Sequence, residues 1–324
     1  VSVTERERAL RAYRRLYLVR RCEEAVQLHY PEDEMKTPVH LSIGQEAPAV
    51  GVCEALGEAD RLFGTYRSHA LYLARSEDTD GFFGELYGRA NGAARGKAGS
   101  MHLASPAHGL MLTSAVVGTT IPLALGAALA LERQGSRGRA VVFFGDGATG
   151  EGCFWESLNF ACAHRSRVVF VCEDNGLAIH SRRETREGYA DLPSVLERFR
   201  CTLLTSESTD VLELRDLAER GLREQDRSGG PLFLYLRCYR FVEHVGPAID
   251  QRFDLGYRRR HEFQAWQARD PLGVARRRMT QLGVAADELR TLETAVDARI
   301  EASVARARAA APPAVDELRE GVYA

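Results

Sequence analysis

The chain has 324 residues, enough to bury a large core either as one sizeable α/β domain or as two smaller ones. Its 43 Lys and Arg against 45 Asp and Glu leave a formal charge of −2, which gives no electrostatic case for a nucleic acid or an anionic membrane as partner. Seven cysteines form no C-x-x-C pair and several sit inside apolar runs, so they read as small core residues of a reducing cytosol, not as zinc ligands or disulfides. No signal peptide is expected before Val1-Ser2-Val3-Thr4-Glu5, and no apolar run is long enough to span a bilayer, so a soluble, cytoplasmic protein is expected. Arginines interleaved with acids, as in Arg182-Arg183-Glu184 and Arg258-Arg259-Arg260-His261-Glu262, read as solvated helix faces.

Thr4 to about Tyr30 reads as a charged amphipathic helix with Leu10, Tyr13, Leu16, Tyr17 and Val26 near helical spacing, broken at Pro31. A second helix follows His40-Leu41-Ser42-Ile43-Gly44-Gln45-Glu46 and runs to about Leu56. Arg61–Thr65 reads as a short strand, with helices near 69–76 and 79–90. The stretch 91–108 is rich in Gly, Ala and Ser and suits an irregular loop, and Ile121–Leu131 has the composition of a closely packed helix. Two apolar runs, 140–144 and 168–172, flank a helical segment from Glu151 to Ala161. Beyond them come a helix at 192–199, a strand at 201–206, a helix at 210–225 and a strand at 232–237. This alternation predicts a parallel sheet covered by helices on both faces. Residues 241–256 read as a functional loop, and everything from Tyr257 on as helix.

The chemistry gathers where the two apolar runs end. Gly145-Asp146-Gly147 closes the first and Asn175 follows the second, so one strand–helix–strand unit carries an oxygen ligand at the carboxyl end of each strand. Open parallel sheets bind ligands at that edge. Two hard oxygens beside glycines suit Mg²⁺ or Ca²⁺ carrying a diphosphate. A lone Gly-Asp-Gly is a common turn; with strand context at both ends and Asn175 29 positions after Asp146, it resembles the thiamine diphosphate fingerprint.

Further motifs stand in order along the chain: His40-x-x-x-Gly44-Gln45-Glu46-Ala47, Tyr66-Arg67-Ser68-His69, Arg95-Gly96-Lys97-x-Gly99-Ser100-Met101-His102, Val117-Gly118-x-x-Ile121-Pro122-Leu123, Gly145-Asp146-Gly147-Ala148-Thr149, Asp174-Asn175-Gly176 and the closing Val322-Tyr323-Ala324. On these the chain resembles, over essentially its whole length, the α subunit of the E1 component of the thiamine diphosphate-dependent 2-oxo acid dehydrogenases of the pyruvate, acetoin and branched-chain types. The resemblance implies the α/β thiamine diphosphate-binding fold of the diphosphate-binding (PP) type, as one domain over 1–324. It would comprise an N-terminal helix (1–30), an α/β core with the cofactor loops (31–256) and a C-terminal helical extension (257–324).

The resemblance also implies residue roles. Asp146, Asn175 and the backbone carbonyl of Leu177 would hold Mg²⁺. Tyr66 and Arg67 would bind the diphosphate, with Gly145, Gly147 and Ala148 offering N–H groups from the turn before the next helix. Backbone groups of Ala115 and Val117 would grip the aminopyrimidine; the family usually has glycine at the first of these. His40 and His244 match histidines at the substrate entrance and the diphosphate end, where imidazole suits proton donation. His69 and His102 read as scaffold for the cofactor loops. The glutamate that activates the pyrimidine N1′ comes, in this family, from a β subunit, so an α₂β₂ assembly is implied, inactive without β, with a lipoyl-bearing acyltransferase as possible acceptor.

The chain also departs from the family. Tyr239-Arg240-Phe241-Val242-Glu243-His244-Val245 keeps the histidine but has Val245 where mitochondrial relatives carry a phosphorylated serine. Asp174, Leu177 and His180 also replace commoner residues near the entrance. Three readings follow: an E1 α subunit decarboxylating a 2-oxo acid; the diphosphate-binding half of a split transketolase-like or acyloin-forming carboligase; and a non-catalytic scaffold. The intact set Asp146, Asn175, Tyr66 and Arg67 argues against the last.

Overall fold

The computed structural model describes residues 4–320; the closing Val322-Tyr323-Ala324 motif lies outside the described residues. Six strands form one parallel sheet: β1 (Arg61–Thr65), β2 (Leu110–Ser114), β3 (Ala140–Gly145), β4 (Val168–Asp174), and, after a two-stranded antiparallel hairpin of β5 (Leu177–Ala178) and β6 (Ser181–Arg182), β7 (Thr202–Ser206) and β8 (Leu232–Arg237). Their order is β2-β1-β3-β4-β8-β7. The helices are α1 (Glu5–His29), α2 (Glu46–Ala55), α3 (His69–Ser76), α4 (Thr79–Leu86), α5 (Thr120–Arg133), α6 (Gly152–His164), α7 (Leu192–Leu196), α8 (Val211–Ser228), α9 (Arg260–Gln267), α10 (Pro271–Gln281) and α11 (Ala286–Ala309).

Side-chain alternation along the central strands divides the core in two. Val141, Phe143, Val169, Val171, Leu232 and Leu234 pack with α1, α2, α3, α4, α8 and α11 on one face. Ala140, Val142, Phe144, Phe170, Cys172 and Phe233 pack with α5, α6 and α7 on the other. Both faces are buried, which is why these strands read as continuous apolar runs. Helix α1 starts at a capping box, Thr4 receiving the Glu7 N–H while Glu7 receives the Thr4 N–H at 2.7 Å. Tyr13, Leu16, Tyr17 and Val26 are buried along it as the spacing predicts. Among the described residues no helix is long and apolar enough to cross a membrane. All seven cysteines are free, five of them buried.

The structure adds edge strand β2, which follows the glycine-rich stretch and pairs in parallel with β1. Its sequence, Leu-Met-Leu-Thr-Ser, is short, and its pairing is irregular between Leu62 and Phe63. Beyond Tyr257 the described residues form three separate α-helices and a short 3-10 helix, Val315–Arg319. Arg258 corrects the solvated-face reading: it is buried, donating to Asp250 at 2.9 Å and to the Arg240 carbonyl at 2.7 Å. Asp250 also meets Arg240 at 3.3 Å and accepts from the Tyr257 hydroxyl at 2.7 Å, so one buried carboxylate ties down the loop that carries His244.

Candidate active site

A cavity of about 370 Å³ opens at the carboxyl ends of β1, β3 and β4, beside the point where strand order reverses between β1 and β3. It is lined by Thr65, Tyr66 and Arg67 after β1, by Gly145–Ala148 after β3, and by Glu173, Asn175, Leu177, Ala178 and Ile179 at and beyond the end of β4. Gln45, Val117, Glu151, Ser181, Arg186 and His244 complete the wall. Ten of the twelve site residues expected from the sequence therefore meet in one place. His40 lies behind the lining, its ring 4.5 Å from that of Tyr66 and 5.2 Å from that of His244. Ala115 is not part of the lining; its neighbour two places on, Val117, is.

Asp146 starts the tight turn after β3 and is almost fully buried. Arg186 pairs with its Oδ2, while Oδ1 is buried without a hydrogen-bond partner. Burial, then repulsion from Asp174, pushes its carboxyl up to about 7 despite the nearby Arg186 and Arg183. A carboxylate in that position needs a cation. Asn175 donates from Nδ2 to Gln45 at 3.1 Å and accepts the Leu177 N–H on Oδ1 at 3.1 Å, which leaves that oxygen a second lone pair. No group of three or more His, Cys, Asp or Glu among the described residues is placed to hold a metal alone. One carboxylate, one amide and a carbonyl suit a hard cation that brings phosphate oxygens with it. The turn leaves little room, since a Cβ on Gly147 would sit 3.1 Å from the Ala178 Cβ.

Arg67 is held from two sides. Nη1 donates to the Leu41 carbonyl at 2.7 Å and Nη2 to the His244 carbonyl at 3.0 Å, and among the described residues it has no ion-pair partner. Burial lowers its pKa below the usual arginine value. Burial, followed by the Arg67 charge, lowers His40 to about 3 and His244 to about 4, so both imidazoles are neutral at physiological pH.

The supports lie deeper. His69, the first residue of α3, is fully buried between Glu23 at 2.9 Å and Ser100 at 2.7 Å. Glu23 also accepts the Ser42 N–H at 2.7 Å, next to the Leu41 carbonyl that holds Arg67. The Arg95–His102 motif has its reason in Glu85, a buried carboxylate on α4 that no sequence pattern singled out. Glu85 accepts four backbone N–H groups: Ala94 at 2.8, Gly96 at 2.9, Ala98 at 2.6 and Gly99 at 2.9 Å. Gly96 has φ +73°, and a Cβ there would strike the Gly88 backbone at 2.6 Å.

Arg182 and Arg183 also depart from the solvated reading. Arg182 bonds Glu262 at 2.8 Å, and Arg183 bonds Asp174 at 2.7 Å. Asp174 further receives the Tyr235 hydroxyl, and the Gly176 N–H at 2.7 Å. The Asp174 carboxylate is thus neutralised by Arg183.

A parallel sheet with a cavity at its switch point suited to a diphosphate and a metal is a frame for a phosphorylated cofactor. The chain belongs to the dehydrogenase E1 component family, whose sequence profile matches residues 14–316. It is 33% identical to the α subunit of acetoin:2,6-dichlorophenolindophenol oxidoreductase of Cupriavidus necator, over 98% of this chain and 95% of that one. It is 31% identical to the pyruvate dehydrogenase E1 component α subunit of Porphyra purpurea, over 96% of this chain and 92% of the other, and 32% identical to that of Zymomonas mobilis, over 97% and 88%. It is thus an α subunit of the thiamine diphosphate-dependent 2-oxo acid dehydrogenase type, which works with a partner subunit, and the first of the three sequence readings holds.

Proposed function

We propose that this chain holds the diphosphate end of thiamine diphosphate through Mg²⁺, in an enzyme that decarboxylates a 2-oxo acid and passes the acyl or aldehyde unit to an acceptor such as a lipoyl group. The observation that carries this reading is that one cavity is lined by a carboxylate with an unpartnered oxygen and by an arginine with no ion-pair partner among the described residues. Asp146 has a buried oxygen without a donor, and Arg67 has a guanidinium without an anion. Mg²⁺ would take Asp146, Asn175 and the Leu177 carbonyl; the diphosphate would take Tyr66, Arg67, His244 and the N–H groups of Gly145–Ala148. When bound, the cofactor supplies the electron sink for loss of CO₂.

Protein groups would orient and exchange protons. His40 and His244, neutral and in contact with the Tyr66 ring or each other, would hydrogen-bond the reacting carbonyl end and its developing oxygen charge. Val117 and the backbone near Ala115 would face the aminopyrimidine. A β subunit would add the glutamate at the pyrimidine N1′, giving α₂β₂. Exposed apolar residues around this edge, Val116, Val117, Ile179 and Val245, support a covering partner. We place the assembly in the cytoplasm, with the chain acting as a single diphosphate-binding domain.

Calorimetric titration of thiamine diphosphate with Mg²⁺ into the chain, alone and with a co-purified β subunit, tests the reading. Tight, Mg²⁺-dependent binding with the partner is expected, and its loss in Asp146→Ala. Unchanged affinity in that variant would sink the site assignment.

A further inference from the structure

Asp146 offers two chemically equivalent oxygens, so something must decide which one faces the cavity. We propose that Arg186 does so, as a positioning residue that holds Oδ2 and thereby presents Oδ1 to the metal; this rests on the cofactor reading above. The Arg186 guanidinium pairs with Oδ2, and its Nη1 also donates to the main-chain carbonyl of the same residue at 3.2 Å. It therefore clamps side chain and backbone of Asp146 together. Thr149 Oγ1 donates to the same carbonyl at 2.8 Å and meets the Tyr189 hydroxyl at 3.3 Å. Arg183, three residues before Arg186, is anchored on Asp174 at 2.7 Å. The segment 183–189 is thus fastened to the ends of both β3 and β4, and Arg186 is its contact with the proposed ligand. A carboxylate with one oxygen fixed by a planar fork keeps the other in a single direction, which is how outer partners raise the affinity of a metal ligand.

A guanidinium beside a ligand carboxylate could instead compete with the metal, and the two roles predict effects of opposite sign. The test is Mn²⁺ binding, by electron paramagnetic resonance and calorimetry, to the enzyme co-purified with its partner subunit at saturating thiamine diphosphate. Arg186→Ala is expected to raise the Mn²⁺ Kd by ~10–100-fold, the usual effect of removing such a partner. Arg186→Lys should recover only part of the loss, because an ammonium cannot span the carboxylate and the carbonyl at once. The thermal midpoint of Arg186→Ala should fall, because Asp146 and Glu187 lose their counter-ion, so binding is read well below it, and thiamine diphosphate affinity in the presence of a chelator should match the parent. An unchanged or tighter Mn²⁺ Kd in Arg186→Ala would overturn the proposal, as would a loss of cofactor affinity that persists without metal, which would make Arg186 a phosphate ligand. Asp146→Asn separates the two levels. If it abolishes Mn²⁺ binding while Arg186→Ala leaves it intact, only the positioning role fails; if neither variant matters, the metal site itself fails.

Discussion

Arg67 and His244 come from opposite ends of the chain's core and meet at the cavity, the guanidinium donating to the His244 carbonyl at 3.0 Å and approaching its Nδ1 at 3.4 Å. Both hydrogen bonds of Arg67 to backbone are made to neutral oxygens, so its charge is oriented but not compensated. A partly buried charge without an ion-pair partner, lining a cavity, marks a place for an anion. Arg67→Ala should weaken thiamine diphosphate binding by about 1.5–3 kcal/mol, the range for a hydrogen bond to a charged group. Arg67→Lys should also bind poorly, because lysine cannot reach Leu41, His244 and a phosphate together. Calorimetry reads both; parental affinity in Arg67→Ala would remove this residue from the site.

Asp174 and Arg183 form an ion pair at the end of β4, at 2.7 Å. Removing the arginine alone leaves a buried carboxylate held only by Tyr235 and a backbone N–H, one residue from Asn175. Arg183→Ala should destabilise by about 3–5 kcal/mol, as for a broken buried pair. The double variant Asp174→Asn with Arg183→Ala should recover most of it, since no charge remains to be compensated. Chemical denaturation of the three variants measures the coupling; additive losses would show that the two residues act independently.

Glu85 is the centre of the glycine-rich loop, and its effect should exceed that of any residue within the loop. Glu85→Ala strands four N–H donors around a site that is 1% exposed. At about 1–3 kcal/mol for each unmet buried group, partly relieved by water entering the gap, a loss of several kcal/mol is expected. Trypsin should then cut after Arg95 or Lys97 at concentrations the parent resists. Resistance equal to the parent's would mean that the loop is held by its docking to Glu317 and Glu320, which Arg95 meets at 3.1 Å each.

Much of this arrangement was legible because strands buried on both faces leave continuous apolar runs, and because ligand oxygens at strand ends stand at fixed places after them. Asp146 and Asn175 could be found that way, whereas Tyr66 and Arg67 stood out only by their place in the family's series of motifs. Glu85, Arg186, Glu23 and Arg258 could not, since a charged side chain bound to distant backbone looks the same in sequence as one in water. Edge strand β2 was hidden for a different reason: five residues with one face open to solvent carry too few alternations to be counted. Gly44 shows a middle case. It stands in a legible motif, but its reason is spatial: at φ +95°, a Cβ would lie 2.3 Å from the Tyr239 carbonyl and 2.6 Å from the Phe241 ring.

The two cavity histidines set a pH dependence of stability with a definite sign. In the unfolded chain each takes a proton as pH falls through about 6.5. In the folded protein burial and Arg67 hold His244 at about 4 and His40 at about 3. Between those limits the unfolded state binds more protons, so stability falls as pH falls from about 6.5 and keeps falling to about 4 and then 3. Above pH 7 the two groups contribute no slope. Urea midpoints measured from pH 7.5 to 4.5 should therefore drop less steeply in His40→Gln and His244→Gln than in the parent, and least in the double variant, because carboxylate contributions are common to all four proteins. Identical slopes would mean that these imidazoles titrate normally in the folded state, and that water or an anion reaches them more freely than their burial between Tyr66 and Arg67 allows.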